Sequence, residues 1–295
     1  MKKILIVFDV HGWVFERHAK EIKQRLSHKY VIDICSIYED IEMLSRGYDC
    51  VYVMDPMPLH TYPPQEKTIM GLRCQWLYEN NPFGAKGLYD SSIKDKCRIM
   101  HVVNRNQFAE FSFINKPLFL TPHGVNVKIF NKRAKTSGGV LMVGCNGRRD
   151  SLGQKGFEIV EQACKESGFA FLRMAEFKNA WDHSDMVHFY EDLDVFVSMS
   201  ASEGHNNSIL EAGAAACAVV ATNVGSVPEI IVNEVNGLVI DRSKEALKLA
   251  LEKCRLPAFR DGIGENLRKT IEINWDWNKC IMHYENMFDF FFQLD

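Results

Sequence analysis

Residues 4 to 8, Ile-Leu-Ile-Val-Phe, form an apolar run with no polar alternation. A strand of that kind is covered on both faces, as strands of a parallel sheet are. The loop Asp9-Val10-His11-Gly12-Trp13 follows, then a stretch to residue 27 with Phe15, Ala19, Ile22 and Leu26 at helical spacing. Further strands are expected at 30–36 and 49–54. This is a βαβαβ opening, which requires right-handed crossovers and a parallel sheet. Short strands at 68–72, 98–103 and 118–120 complete the first half. The stretch 76–95 mixes turn formers and aromatics and carries no clear period.

The pattern then restarts. Residues 131–139, NKRAKTSGG, are polar, basic and glycine-terminated, and read as a domain linker. Strands follow at 140–143, 169–174, 195–199, 218–223 and 238–240. A helix is expected at 157–167, a helix or turn at 185–192, a short helix opened by Pro228, and a helix at 243–254 capped by Ser243. The aromatic end of the chain, 287–292, is too apolar to stand in water and is expected to pack on the first domain, with a partner protein or a membrane surface as the alternative. The reading is therefore an N-terminal domain at 1–135, with 276–295 packing back on it, and a C-terminal domain at 136–275. Two doubly wound domains of this kind leave an interdomain cleft, a common place for a ligand.

Composition narrows the chemistry. The net charge of −3 makes no overall case for a nucleic-acid partner. Nine cysteines, an odd number with no CxxC pair, suit reduced thiols in a cytoplasmic protein better than zinc or a disulfide framework. No apolar run approaches the ~20 residues that span a membrane. One surface feature stays open: Trp13, Val14 and Phe15 precede Arg17, Lys20, Lys23, Arg25 and Lys29. That helix is either a peripheral contact for anionic lipid or a solvated basic face.

The densest chemistry lies at 200–213, SASEGHNNSILEAG, between the 195–199 strand and a small-residue helix ending near Cys217. A strand–turn–helix unit directs backbone N–H groups at whatever lies beyond the strand's end, and the helix dipole favours negative charge there. Asn206 is placed to cap the helix. Glu203 precedes the helix and can reach a transferred group; Glu211 lies within it and can accept hydrogen bonds from ribose hydroxyls. The alternative is a pair of solvated helix-start acids, which suits Glu211 less well among Ile209, Leu210, Ala212 and Ala214. Upstream, Arg148, Arg149 and Lys155 sit in a glycine-rich loop, 144–156. That loop is either a diphosphate clamp or an ordinary solvated loop. A third glycine loop, 224–230, follows the 218–223 strand. Asp192-Leu193-Asp194 spells DxD but precedes a core strand and reads as structural.

These residues resemble a known pattern. SxxEG…LEA…VVATxVGxxPEI…NGLVI is carried by Ser200, Glu203-Gly204, Leu210-Glu211-Ala212, Val219 to Thr222, Val224-Gly225, Pro228 to Ile230 and Asn236 to Ile240. YEDLDVFVS at 190–198, Lys155-Gly156, Pro122-His123-Gly124-Val125-Asn126 and Trp275…Tyr284 fit the same pattern. Together they resemble retaining glycosyltransferases of GT-B architecture, family 4 (glycosyl transferases group 1). The resemblance is specific from about 118 to 285 and only architectural before it.

It implies two Rossmann-like domains facing across a cleft, with a C-terminal helix crossing back to the first. It implies metal-independent hexosyl transfer from a nucleotide-diphosphate sugar, UDP- or GDP-linked, in polysaccharide or glycolipid biosynthesis, with no cofactor. Arg149 and Lys155 would neutralise the diphosphate, with Arg148 the competing arginine. Glu203 would lie beside the sugar. Gly204, His205, Asn206 and Asn207 would contact sugar and phosphate, Glu211 would hold the ribose, and Gly12 would face the donor. The acceptor would be a glycan or lipid-linked sugar. A sugar-nucleotide epimerase or hydrolase, or a non-catalytic nucleotide-sugar-binding module, is the alternative. His11 and Trp13 would face the donor with Gly12, and His60 and His101 are further candidates, though a lone histidine is more often structural; His123 belongs to the junction motif and is not expected to be catalytic.

Overall fold

A computed structural model of the chain describes residues 1–130, 141–145, 153–173 and 183–294. It divides into two units, Met1–His123 with Cys280–Asp295, and Gly124–Lys279. The 131–139 linker of the sequence reading lies outside the described residues.

In the first unit six strands, β1 (Lys3–Phe8), β2 (Val31–Ser36), β3 (Cys50–Val53), β4 (Thr68–Leu72), β5 (Ile99–Val102) and β6 (Leu118–Leu120), form one sheet. Its order is β2-β1-β3-β4-β5-β6, and every pairing is parallel. The apolar run 4–8 is fully buried, as two-sided cover requires. The strand order reverses direction between β1 and β3, so the loops after these two strands diverge and open a crevice at the sheet's carboxyl edge.

In the second unit β7 (Met142–Cys145), β8 (Ala170–Arg173), β9 (Val195–Ser198), β10 (Ala218–Thr222) and β11 (Leu238–Ile240) form a parallel sheet of order β11-β10-β9-β7-β8. This repeats the winding of the first sheet, with its reversal between β7 and β9. The helices that matter below are α1 (Val14–Leu26), α2 (Phe157–Ser167), α3 (Asn207–Ala214), α4 (Pro257–Asn274) and α5 (Trp277–Gln293).

Two segments went unread in the sequence. The stretch 76–95 is helical in short pieces, Trp76–Glu79 and Gly84–Leu88, with a wide turn at Tyr89–Ile93. Helix α4 was missed because Arg260, Asp261 and two glycines interrupt its apolar period. Ile263, Leu267 and Ile271 nonetheless make one buried stripe, each contributing roughly 1.5–3 kcal/mol. That stripe packs on α3 where α3 has no side chain: a Cβ on Gly213 would stand 2.3 Å from Ile271 Cδ1. Small residues in α3 are therefore what let α4 brace it. Ser243 caps its helix as expected, accepting the Ala246 N–H at 3.1 Å.

The end of α5 belongs to the first unit from Cys280 on. Tyr284, Met287, Phe288 and Phe291 are buried there, and Phe288 meets the rings of Tyr30 and Tyr52. Arg73, directly after β4, lies under this helix and is 3% exposed. Its guanidinium donates to His18 Nδ1 at 2.9 Å, Tyr52 Oη at 2.8 Å and Tyr284 Oη at 3.3 Å. Its main-chain N–H donates to Asp55 Oδ1 at 2.8 Å. Burial pushes Asp55 up to about 6, against the hydrogen bond from Arg73 that opposes the rise.

All nine cysteines are free, and eight are buried. Among the described residues, no helix is long and apolar enough to cross a membrane.

Candidate functional site

The reversal between β7 and β9 sets the site. The loop after β7 ends at Lys155-Gly156, just before α2, and the loop after β9 runs through Ser200 to Asn206 into α3. Both loops therefore leave the carboxyl edge of the sheet at its switch point, where open parallel sheets bind ligands.

Two glycines bring these loops together. Gly156 takes a left-handed φ of +66°, and a Cβ on it would lie 2.5 Å from Met199 O. Gly225, in the loop after β10, has φ +56°, and its Cβ would lie 2.5 Å from the carbonyl oxygens of both Glu203 and Gly204. Only glycine fits either position, for conformation and for space. The Ala201 N–H donates to Gln154 O at 2.8 Å, and Arg242 Nε donates to Met199 O at 2.8 Å. The Thr222 hydroxyl donates to Ser200 O at 2.6 Å. The 199–204 backbone is thus held from three sides.

On this frame Lys155 and Glu203 meet. Lys155 Nζ forms a close ion pair with Glu203 Oε1, their side chains 34% and 14% exposed. The Ser200 hydroxyl donates to the same oxygen at 2.7 Å. Glu211 is on the buried side of α3, 8% exposed, and accepts the Tyr190 hydroxyl at 2.9 Å on Oε2. His205 is buried and meets the Trp275 ring edge-on, centroids 5.3 Å apart.

Asn206 occupies the N-cap position but does not cap α3 with its side chain. Its Nδ2 donates to Ser198 Oγ at 2.9 Å, and its main-chain N–H to Ser226 Oγ at 3.2 Å. The Asn207 and Ile209 N–H groups turn to the carbonyls of His205 and Asn206. Two of the amides expected to face an anion are therefore engaged in the turn itself. Burial explains the change: a fully buried asparagine satisfies its amide against Ser198 before it serves a helix end.

Of the other expected residues, Arg148 and Arg149 lie outside the described residues. Gly204 is buried and Asn207 half-buried beside Glu203 and α3. Gly12, in the first unit, has φ +81°, and its N–H donates to Glu16 Oε2 at 2.7 Å. Burial acts to raise the Glu16 carboxyl, but the bonds from Gly12, Lys20 and His11 hold it down at about 2. The loop's own carboxylate therefore takes the amide that an anion would have used. His101 is fully buried in β5, with Nε2 2.7 Å from Tyr52 Oη and Nδ1 bonded to Thr121, which is the structural use expected of a lone histidine. Burial first, then Arg73, pushes its pKa well below the usual value. His123 packs on His18, centroids 4.3 Å apart. Asp194 of the DxD serves the sheet, accepting the Met142 N–H at 2.9 Å.

The basic face of α1 is largely neutralised. Lys20 pairs with Glu16, Lys23 with Asp33, Arg25 with Glu21, and Lys29 with both Glu285 and Asp289. A contact with anionic lipid would have to open these pairs.

Ser200 and Tyr190 were in the sequence pattern but carried no role there. Their signals were spacing alone, three residues before Glu203 and a tyrosine ahead of β9. The partners they hold lie 3 and 21 positions away.

Residues 141–255, within the second unit, match the family model "Glycosyl transferases group 1". The chain is 29% identical over 134 residues to CapM of Staphylococcus aureus, a capsular polysaccharide biosynthesis glycosyltransferase; that match covers 44% of this chain and 35% of CapM. It is 25% identical over 223 residues to an uncharacterized glycosyltransferase of Methanocaldococcus jannaschii, covering 68% of this chain and 61% of the relative. The matches thus span about a third and about three fifths of these two relatives. Among solved structures, sucrose-phosphate synthase of Thermosynechococcus elongatus is similar with a TM-score of 0.80 at 13% identity, covering 100% of each chain. Anabaena HepE, solved with UDP and glucose, gives 0.74 at 12% identity, covering 98% of this chain and 100% of that one. At such identities the likeness establishes the fold, which is GT-B.

Proposed function

We propose that this chain, whose second unit carries the glycosyl transferases group 1 module, moves a sugar from a nucleotide-diphosphate sugar to an acceptor hydroxyl. The observation that carries the reading is the meeting of Lys155 and Glu203 at the switch point of the second sheet. A lone cation and a lone carboxylate on separate loops have many uses. Placed together where a parallel sheet binds nucleotides, beside a half-buried helix start and a buried Glu211, they match the parts of one donor. Lys155 takes the diphosphate, with Arg149 as its partner and Arg148 the competing arginine. Glu203 takes the transferred sugar, and Glu211 takes the ribose. His205, Asn206 and Asn207 line the turn between them.

The reaction we assign retains anomeric configuration. The acceptor hydroxyl attacks the anomeric carbon from the face the diphosphate leaves, and the departing phosphate oxygen accepts the acceptor's proton. The bond from the anomeric carbon to the leaving oxygen breaks as the new glycosidic bond forms. The protein's main task is then to stabilise charge on the leaving group, which positive side chains do without a metal. Solved HepE holds UDP and glucose, and CapM is named for capsular polysaccharide synthesis. Those names favour a UDP-hexose donor and a glycan acceptor.

A panel of UDP-, GDP- and ADP-sugars, scored for nucleoside diphosphate release with and without added glycans, tests the reading. Release that depends on an acceptor supports transfer. Release without one supports a hydrolase, and binding without release at any donor removes the enzyme reading.

A further inference from the structure

Resting on that reading, we propose that Ser200 is a positioning residue of the reaction: it holds the Glu203 carboxylate once the diphosphate has drawn Lys155 away. Lys155 Nζ and Ser200 Oγ both bind one oxygen, Glu203 Oε1. Among the described residues, Oε2 has no hydrogen-bond partner. The carboxylate is thus pinned by one oxygen and presents the other.

The pin has two parts of different character. Lys155 is a charge on a flexible, one-third exposed side chain, and a diphosphate is a stronger anion than a carboxylate. A bound donor therefore competes with Glu203 for Lys155, and Glu203 is the internal anion that keeps Lys155 in place until then. Ser200 cannot follow. It is fully buried, its carbonyl is bonded to Thr222, and the strand end before it is packed against Gly156. The Glu203 backbone cannot move either, because Gly225 lies against its carbonyl. Only the Glu203 side chain can turn, so without Lys155 the serine hydroxyl alone decides where the carboxylate points. A carboxylate beside a bound diphosphate is repelled by it, and an unanchored one would swing away from the sugar.

Two measurements test this. In the first, crystals of the wild type are soaked with inorganic pyrophosphate as the diphosphate probe. Lys155 Nζ is expected on the pyrophosphate, with Glu203 Oε1 still within hydrogen-bond distance of Ser200. A Lys155–Glu203 pair left intact beside bound pyrophosphate, or a Glu203 turned off Ser200, overturns the proposal. This result does not require turnover, so it stands apart from the function reading.

In the second, S200A, E203Q and the double variant are compared with the wild type on the sugar nucleotide it turns over. S200A is expected to lower kcat about tenfold, the loss of one hydrogen bond to a charged group, with donor KM within about twofold. In the E203Q background S200A should add nothing, because both changes act through one carboxylate. A kcat equal to wild type, or additive losses, refutes the positioning role. A melting temperature unchanged in S200A separates it from a folding defect. If the wild type turns over no sugar nucleotide, the function reading fails, and the pyrophosphate structure alone decides the role of Ser200.

Discussion

The Tyr190 hydroxyl donates to Glu211 Oε2 at 2.9 Å, and the tyrosine is wholly buried among Phe130, Phe189 and Phe196. A carboxylate inside a helix is thereby oriented by a ring that cannot move. If Glu211 holds the donor's ribose, Tyr190→Phe keeps the ring and loses only the bond. Nucleotide binding is then expected to weaken by about tenfold, the value of one hydrogen bond to a charged group. Titration calorimetry with UDP measures it. Unchanged affinity would mean that Glu211 does not touch the nucleotide.

Lys155→Met removes the charge and keeps the side-chain length. Loss of a donor aimed at developing charge lowers kcat by about 100-fold or more, and Lys155→Arg should recover part of it. Steady-state kinetics with the active sugar nucleotide decides. Equal rates for Lys155→Met and wild type would remove Lys155 from the diphosphate.

Gly225 and Gly168 are both left-handed, at φ +56° and +69°. A Cβ at Gly168 meets nothing within 4 Å, whereas one at Gly225 meets two carbonyl oxygens at 2.5 Å. Gly168→Ala is expected to cost only the conformational strain, about 1 kcal/mol. Gly225→Ala adds overpacking and is expected to cost about 2–4 kcal/mol, with loss of activity because Glu203 must shift. Urea denaturation of the two variants compares them. Similar costs would mean that the 199–204 loop is not tightly held.

Asp55 titrates at about 6 in the folded protein, against an ordinary value of 3.8. Between those values the folded state binds the extra proton, so stability falls as pH rises through that window and levels off above it. Asp55→Asn keeps an acceptor for the Arg73 N–H and cannot ionise. The variant should lack this fall, and near neutral pH it should match or exceed the wild type, by at most about 3 kcal/mol. Denaturant titrations from about pH 4 to about pH 7 follow the difference. The same pH dependence of stability in both proteins through this window would contradict the assignment.

The unalternated apolar run of β1 and its helical successor made a parallel sheet legible without any structure, and the GT-B resemblance in the second half named the same architecture. Glu203 and Glu211 were legible for the same reason: they sit in a motif whose spacing is local. Helix α4 was not, because its buried stripe is interrupted by Arg260, Asp261, Gly262 and Gly264, and Gly264 is there for the close approach of the Ala216 carbonyl just beyond α3. The place of His101 stayed open because a histidine in a strand looks the same whether it faces solvent or, as here, Tyr52 and Thr121.

By itself the sequence determined where the strands and glycine turns fall, and the helices whose apolar period is unbroken, since those follow from periodicity and from φ angles only glycine adopts readily. The tertiary structure decided what the loops bring together. Lys155 and Glu203 lie 48 positions apart, and they meet only because β7 and β9 are neighbours at the reversal of the sheet. Strand order is a property of packing over the whole unit. No local pattern encodes it, so the carboxylate's partners, Lys155 by charge and Ser200 by hydrogen bond, became visible only in the folded chain.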